Sequence, residues 1–276
     1  MMTNNKNHGS VLITGASSGI GRELALEFGA CAETVVLVAR RLDRLEKLRT
    51  ELQSHHPGLK VIVLAADLSE ERDVERLLGD ISEQAGPIDV LVNNAGLGDS
   101  VLFDRSDWTR TRQLLRTNII AMAQLASALL PGMVKRGRGG VLNIGSGAGL
   151  TVMPSAAAYV GSKFFVAGFS EALRADLAGT GVMVTQVCPG PVDSEFDQVA
   201  GSEGGMVGAP PKFFRISAAQ CAREALAGFE RGDAVVFPGR SYRFLMRSLP
   251  LVPWWLRRKQ AANEAARLRA RQLRTG

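Results

Sequence analysis

Tyr159 and Lys163 stand four residues apart in SAAAYVGSKFFVAGF (155–169), a stretch otherwise built of small and apolar residues. On a helix, side chains at i and i+4 project from one face, so this spacing sets an ammonium beside a phenol. A cation there stabilises the phenolate and draws Tyr159 below the ordinary phenol pKa of about 10, which suits it to moving a proton near neutrality. Far upstream, TGASSGIG (14–21) places Gly15, Gly19 and Gly21 ahead of a helical segment. Such glycines allow a tight turn and close backbone approach, and the free N–H groups of the following helix suit a pyrophosphate. At 39–41 the chain reads Ala-Arg-Arg, where a cofactor bearing only ribose hydroxyls favours a carboxylate; Arg40 and Arg41 instead match a 2′-phosphate.

These residues need a scaffold, and the hydrophobic pattern supplies one. Short β-branched runs, SVLIT (10–14), TVVLVA (34–39), KVIVLAA (60–66), IDVLVN (88–93), GVLNIG (140–145), VMVTQVC (182–188) and AVVF (234–237), make seven strand candidates. Segments of helical period such as RRLDRLEKLRTELQ and SEERDVERLLGDISEQ lie between them. Strand, helix, strand in this rhythm predicts one doubly wound parallel α/β sheet covered on both faces, with ligands bound beyond the carboxyl ends of the strands. The long apolar segment 105–136, with Leu114, Leu115, Ile119, Met122, Leu125 and Leu129 in rows, reads as a sheet-facing helix.

TGASSGIG, Asp67, NNAG (93–96), Asn118, Ser146, Tyr159 with Lys163, and PGPV (189–192) follow one another in the order and approximate spacing of the short-chain dehydrogenase/reductase family. The resemblance covers about residues 10–240. Three residues between Gly15 and Gly19 make it similar to the compact branch of that family; the branch acting on nucleotide sugars usually has two. The resemblance implies a Rossmann domain over 1–240 that binds NADP(H) through Gly15, Ser17, Ser18, Gly19, Ile20, Gly21, Arg40 and Arg41. It further implies that Asp67 lies near the adenine, and that Asn93, Ala95 and Gly96 line the adenosine side and steady the sheet. Pro189, Gly190, Val192 and Ser194 would surround the nicotinamide, Ser194 standing where the family often has Thr. Lys163 would hold the nicotinamide ribose hydroxyls and lower the pKa of Tyr159, the proton donor to the substrate oxygen. Ser146 would share charge on that oxygen, and Asn118 would position a water linking Lys163 to solvent. The implied activity is hydride transfer between NADP(H) and a carbonyl or alcohol, with reduction of an apolar, lipid-like, acyl or steroid-like ketone as the favoured direction. The alternative is a nucleotide-binding regulatory protein of the same fold without turnover, against which intact Ser146, Tyr159 and Lys163 speak. The family also implies a homodimer or homotetramer, built on helix 105–136 and the helix carrying Tyr159.

Composition bounds the remaining possibilities. The 276 residues are 46% hydrophobic and 22% charged, ordinary for one globular domain. Three scattered cysteines, Cys31, Cys188 and Cys221, read as reduced thiols of a cytoplasmic protein, and Cys188 as a small buried side chain rather than a nucleophile. MMTNNKNHGS contains no apolar run, so neither a signal peptide nor an N-terminal anchor is expected. His8, in an N-terminus expected to be mobile, and His55 with His56 have no ligand-spaced partners, and no metal site is expected. Of the net charge of +6, Arg240–Gly276 carries +9, which leaves the body at −3. Charge confined to one tail gives no expectation of nucleic-acid binding.

Two stretches bear on substrate and partners. Residues 193–216 mix Gly and Pro with Phe196, Met206, Phe213 and Phe214, as a lid over an apolar ligand would. Residues 241–276 form an extension, apolar and then basic, beyond the last strand. Within 241–259 the longest apolar run is eight residues, against about 20 needed to span a bilayer. Its Tyr, Trp and Leu among arginines suit peripheral contact with anionic lipid, a neighbouring subunit, or the rim of the substrate pocket.

Overall fold

The computed structural model describes residues 7–193, 195–196 and 214–275, with 271–275 as backbone only. Strands β1 (Ser10–Thr14), β2 (Thr34–Ala39), β3 (Lys60–Ala65), β4 (Val90–Asn93), β5 (Gly139–Ile144) and β6 (Val182–Val187) fall on the β-branched runs of the sequence. A pair of two-residue strands, β7 (Val192–Asp193) and β8 (Ile216–Ser217), brackets the segment after Pro189, and β9 (Val235–Val236) closes the series. The main sheet has seven parallel strands in the order β3-β2-β1-β4-β5-β6-β9. Strand order reverses between β1 and β4, and the residues expected to do chemistry lie at the carboxyl ends beside that point.

The helices are α1 (Gly19–Gly29), α2 (Leu42–His55), α3 (Glu71–Gln84), α4 (Trp108–Leu115), α5 (Met122–Arg136), α6 (Ala157–Asp176), α7 (Ala218–Glu230), α8 (Arg240–Ser248) and α9 (Trp254–Thr275). One apolar layer joins Leu24, Phe28, Leu45, Leu52 and Phe229 of α1, α2 and α7 to one face of the sheet. A second joins Val74, Leu77 and Ile81 of α3 and Leu125 and Met133 of α5 to the other. Each Phe or Leu buried in these layers removes apolar surface worth about 1.5–3 kcal/mol from water, which fixes the sheet and so the ends of its strands.

Helices α4 and α5 are continuous through a wider π-turn, Arg116–Ala121, that contains Asn118. Asp107 caps α4 by accepting from the N–H groups of Thr109 and Arg110, so the helix begins three residues later than the pattern predicts. The whole span, Trp108–Arg136, is long and apolar enough to cross a membrane. Leu114, Ala121, Leu125, Ala126 and Met133 are nevertheless buried in the core, so packing accounts for part of its hydropathy, while Ile120 and Val134 are exposed.

One expectation is corrected. His8 belongs to no mobile tail: it is buried, 3.2 Å from a Glu230 carboxylate oxygen and in edge contact with Phe28. The helical extension beyond residue 240 packs on the body, with Tyr242 and Met246 of α8 buried.

Candidate active site

The turn between β1 and α1 takes its shape from glycine. Gly15 has φ +68° and Gly19 φ +56°, and a Cβ on Gly15 would come within 2.9 Å of the Ala95 Cα. The NNAG segment braces this turn: Asn94 Nδ2 donates to the carbonyls of Thr14 (2.9 Å) and Gly15 (3.3 Å), while Thr14 Oγ1 accepts from the N–H groups of Asn94 and Ala95, each at 3.0 Å. The first turn of α1 has no acidic residue and no side-chain cap, since Ser18 Oγ accepts from Arg41 at 2.8 Å instead. Its N-terminal N–H groups therefore suit an anion, and Ile20 anchors the turn against the core.

At the end of β2 the two arginines diverge. Arg40 extends toward Asp67, 3.6 Å away, and Asp67 is fixed by accepting from the N–H and hydroxyl of Ser69. Arg41 turns back over the glycine-rich loop and donates to Ser17, Ser18 and the carboxylate of Glu195 (3.0 Å). Arg44, on the same side of α2, donates to both Glu195 oxygens at 2.8 Å. The Arg44 and Arg41 guanidiniums hold the Glu195 carboxyl below the usual carboxylate range. Ser17, Ser18, Arg44, Lys47 and Glu195 line one pocket beside α1.

Beyond β5, Ser146 starts a 3-10 turn, Gly147–Leu150, and accepts from the N–H of Ala148 at 3.1 Å. A Cβ on Gly149 would strike the Lys163 carbonyl, so the absence of one lets this turn lie directly on α6. Ser146, Tyr159 and Lys163 thus belong to two elements locked face to face. Lys163 Nζ donates to the Ile144 carbonyl at 2.9 Å and lies 5.8 Å from the Tyr159 ring centre. Burial lowers the Lys163 ammonium to about 8, with Cys188 pulling slightly the other way. Tyr159 is buried among Leu97, Leu114, Ala148 and Ala156, and Phe196 tilts against its ring at 5.8 Å. The surroundings of the Tyr159 ring are accordingly apolar. Burial pushes the Cys188 thiol up to about 12, which disfavours its thiolate form.

Asparagines tie these elements together. Asn118 Oδ1 accepts from Leu97 N–H (2.8 Å), and its Nδ2 donates to the Leu97 carbonyl (2.9 Å) and Ser162 Oγ (3.0 Å). Its side chain is thereby committed to structure, with Gly96 between it and Lys163. Asn93 is buried within the sheet: it donates to Asn143 Oδ1 at 2.9 Å, and Asn143 donates to Ser170, linking β4, β5 and α6. The Pro189 carbonyl accepts from Gly147 N–H at 3.0 Å and from the Tyr242 hydroxyl at 3.4 Å; a Cβ on Gly190 would press within 2.8 Å of the Tyr242 ring. Val192 is buried in the short β7–β8 pair. Ser194, Met206 and Phe213 lie outside the described residues.

Sequence reasoning missed Thr14, Asn94, Arg44, Ser162, Glu195 and Tyr242. Asn94 stood in the quoted NNAG, and Arg44 three residues after Arg41 on one helix face, so both carried a signal. Tyr242 stood in the stretch 241–259 read as suiting the pocket rim, whereas Glu195 carried no signal.

The short chain dehydrogenase family matches residues 9–203. Sulfoacetaldehyde reductase of Chromohalobacter salexigens is 40% identical over 194 residues, covering 68% of this chain and 74% of that protein. Among solved structures, a short-chain dehydrogenase from Sphingobium yanoikuyae in complex with NADPH superposes with TM-score 0.78 at 32% identity, over 88% of this chain and 92% of that one. A bulky-bulky ketone specific alcohol dehydrogenase from Comamonas testosteroni gives TM-score 0.75 at 28% identity, over 88% and 90%.

Proposed function

The chain belongs to the short-chain dehydrogenase family, oxidoreductases that use NAD(P)(H), and we propose that it is an NADP(H)-dependent reductase of an apolar ketone or aldehyde. The observation that carries this reading is the grouping of half-buried Ser146 with buried Tyr159 and Lys163, beside apolar side chains at the strand ends. Gly15, Gly19 and the uncapped start of α1 suit a pyrophosphate, and Arg41 with Arg44 suits a 2′-phosphate; Asp67 and Gly96 flank the adenosine side. Ala39 at the end of β2 and the NADPH complex of the Sphingobium relative support the phosphorylated cofactor. Phe196 on Tyr159, and a relative specific for bulky-bulky ketones, support an apolar substrate.

A nicotinamide cofactor held there would supply hydride in its reduced form and accept it in its oxidised form. Tyr159 donates its phenolic proton to the substrate oxygen as charge develops there, and the Ser146 hydroxyl donates a hydrogen bond to the same atom. The Lys163 ammonium, 5.8 Å from the Tyr159 ring centre, steadies the phenolate left behind and would hold the ribose hydroxyls of the cofactor. The Asn118 side chain, held by Leu97 and Ser162, fixes the π-turn against the helix that carries Lys163. The protein works in the cytoplasm; its three free thiols support that placement.

NADPH oxidation across 3-oxoacyl thioesters, steroids, quinones and small aldehydes tests the reading. Tyr159→Phe should lower kcat at least about a hundredfold while NADPH affinity changes less than about threefold. Retention of more than about a tenth of wild-type turnover would show that another group is the acid. The charged Lys163 is the competent form, so kcat/KM for reduction should fall as pH rises through about 8.

A further inference from the structure

We propose that the α8–α9 bend is a docking surface for an anionic lipid bilayer. The structure divides this segment into two faces. Tyr242 and Met246, one turn apart, point into the body, whereas Phe244 is 77% exposed, Leu251 83% and Trp255 66%. The bend is held in place: the Arg257 guanidinium donates to the carbonyls of Val252 (3.1 Å) and Leu150 (3.4 Å) and lies 4.7 Å from the Trp254 ring centre. Leu150 ends the turn that begins at Ser146, so the apolar tip is fixed at the margin of the catalytic site. A tip already ordered gives up little conformational freedom on meeting a surface.

Charge selects the occupant. Arg240, Arg247, Arg258 and Lys259 accompany the exposed apolar side chains, and no acidic residue occurs between positions 240 and 263. A symmetric contact with a second copy would set this basic patch against itself, cation on cation. An anionic bilayer surface meets the cations with phosphates and takes Trp255 and Leu251 into the headgroup–acyl boundary. Docking would bring the site mouth to lipid-like carbonyl compounds, a consequence that rests on the apolar-substrate reading; the docking itself does not.

Co-sedimentation of the full chain with phosphatidylcholine vesicles, with and without phosphatidylglycerol, tests it independently of turnover. Binding is expected to the anionic vesicles alone at about 0.05 M salt, and to weaken strongly at about 0.5 M. Leu251→Asp with Trp255→Asp should reduce it at least tenfold, and Arg247→Ala about fivefold. These side chains are at the surface, so circular dichroism and NADPH titration should stay as in the wild type; Phe244→Asp gives the same readout at a separate position. Absence of binding at low salt, equal binding to neutral vesicles, or undiminished binding by the double variant would each overturn the proposal. Loss of oligomer mass in the double variant without vesicle binding would assign the surface to a second copy. Activity on small soluble ketones without vesicle binding would leave the reductase reading intact and remove only this one.

Discussion

Glu195 brings its carboxylate to Arg41 and Arg44, 154 and 151 residues away in the chain, in the place proposed for a cofactor phosphate. A carboxylate and a phosphate compete for the same forks of guanidinium donors. Glu195→Gln should therefore tighten NADPH binding up to about tenfold and leave NADH within about threefold. A charge-assisted contact contributes about 1.5–3 kcal/mol, so Arg41→Ala should weaken NADPH binding roughly 10- to 150-fold. Arg40, turned toward Asp67, should matter less to that ratio than Arg41 does. Fluorescence titration of the three variants with both nucleotides checks this; a larger loss in Arg40→Ala would return the phosphate to Arg40.

Helix α8 converts an apparent appendage into a wall of the site. The Tyr242 hydroxyl lies where a Cβ on Gly147 would fall, and burial raises its pKa, with Cys188 and Tyr159 adding to the effect. Removing this ring opens a cavity between Gly147 and Gly190, so Tyr242→Ala should cost about 3–5 kcal/mol in urea denaturation. Tyr242→Phe, which deletes only a long hydrogen bond to Pro189, should cost about 0.5–1.5 kcal/mol. Gly147→Ala should be destabilising alone and less so combined with Tyr242→Phe, because the colliding atom is gone. Additive effects of the two substitutions would show that ring and turn are not in contact.

Among the described residues of the whole molecule, exposed apolar side chains form two groups besides scattered ones such as Leu42 and Phe103. One is the α8–α9 bend; the other is the outer faces of the long helix and α6, where Ile120, Val134 and Phe164 are exposed. Apolar patches of this kind mark contact with other surfaces, and the second region is proposed to build a homodimer or homotetramer. Ile120→Glu with Phe164→Glu should shift sedimentation velocity from oligomer to monomer without changing the far-ultraviolet circular dichroism. An unchanged mass would move the subunit contact elsewhere.

The sequence alone determined whatever depends on local period. Seven parallel strands were legible because Val, Ile and Leu cluster in short runs that a sheet buried on both faces requires. Tyr159 and Lys163 were legible because one helical turn joins them, and the glycine-rich turn because positive φ at Gly15 and Gly19 demands glycine. Tertiary structure alone decided which groups meet across elements. The course of Arg41 away from Arg40, the engagement of Asn118 with Leu97 and Ser162, the burial of His8 and the insertion of Tyr242 all depend on packing. A helix or strand pattern reports which face an element buries, but the neighbour against which it is buried follows from strand order and the space left between distant segments.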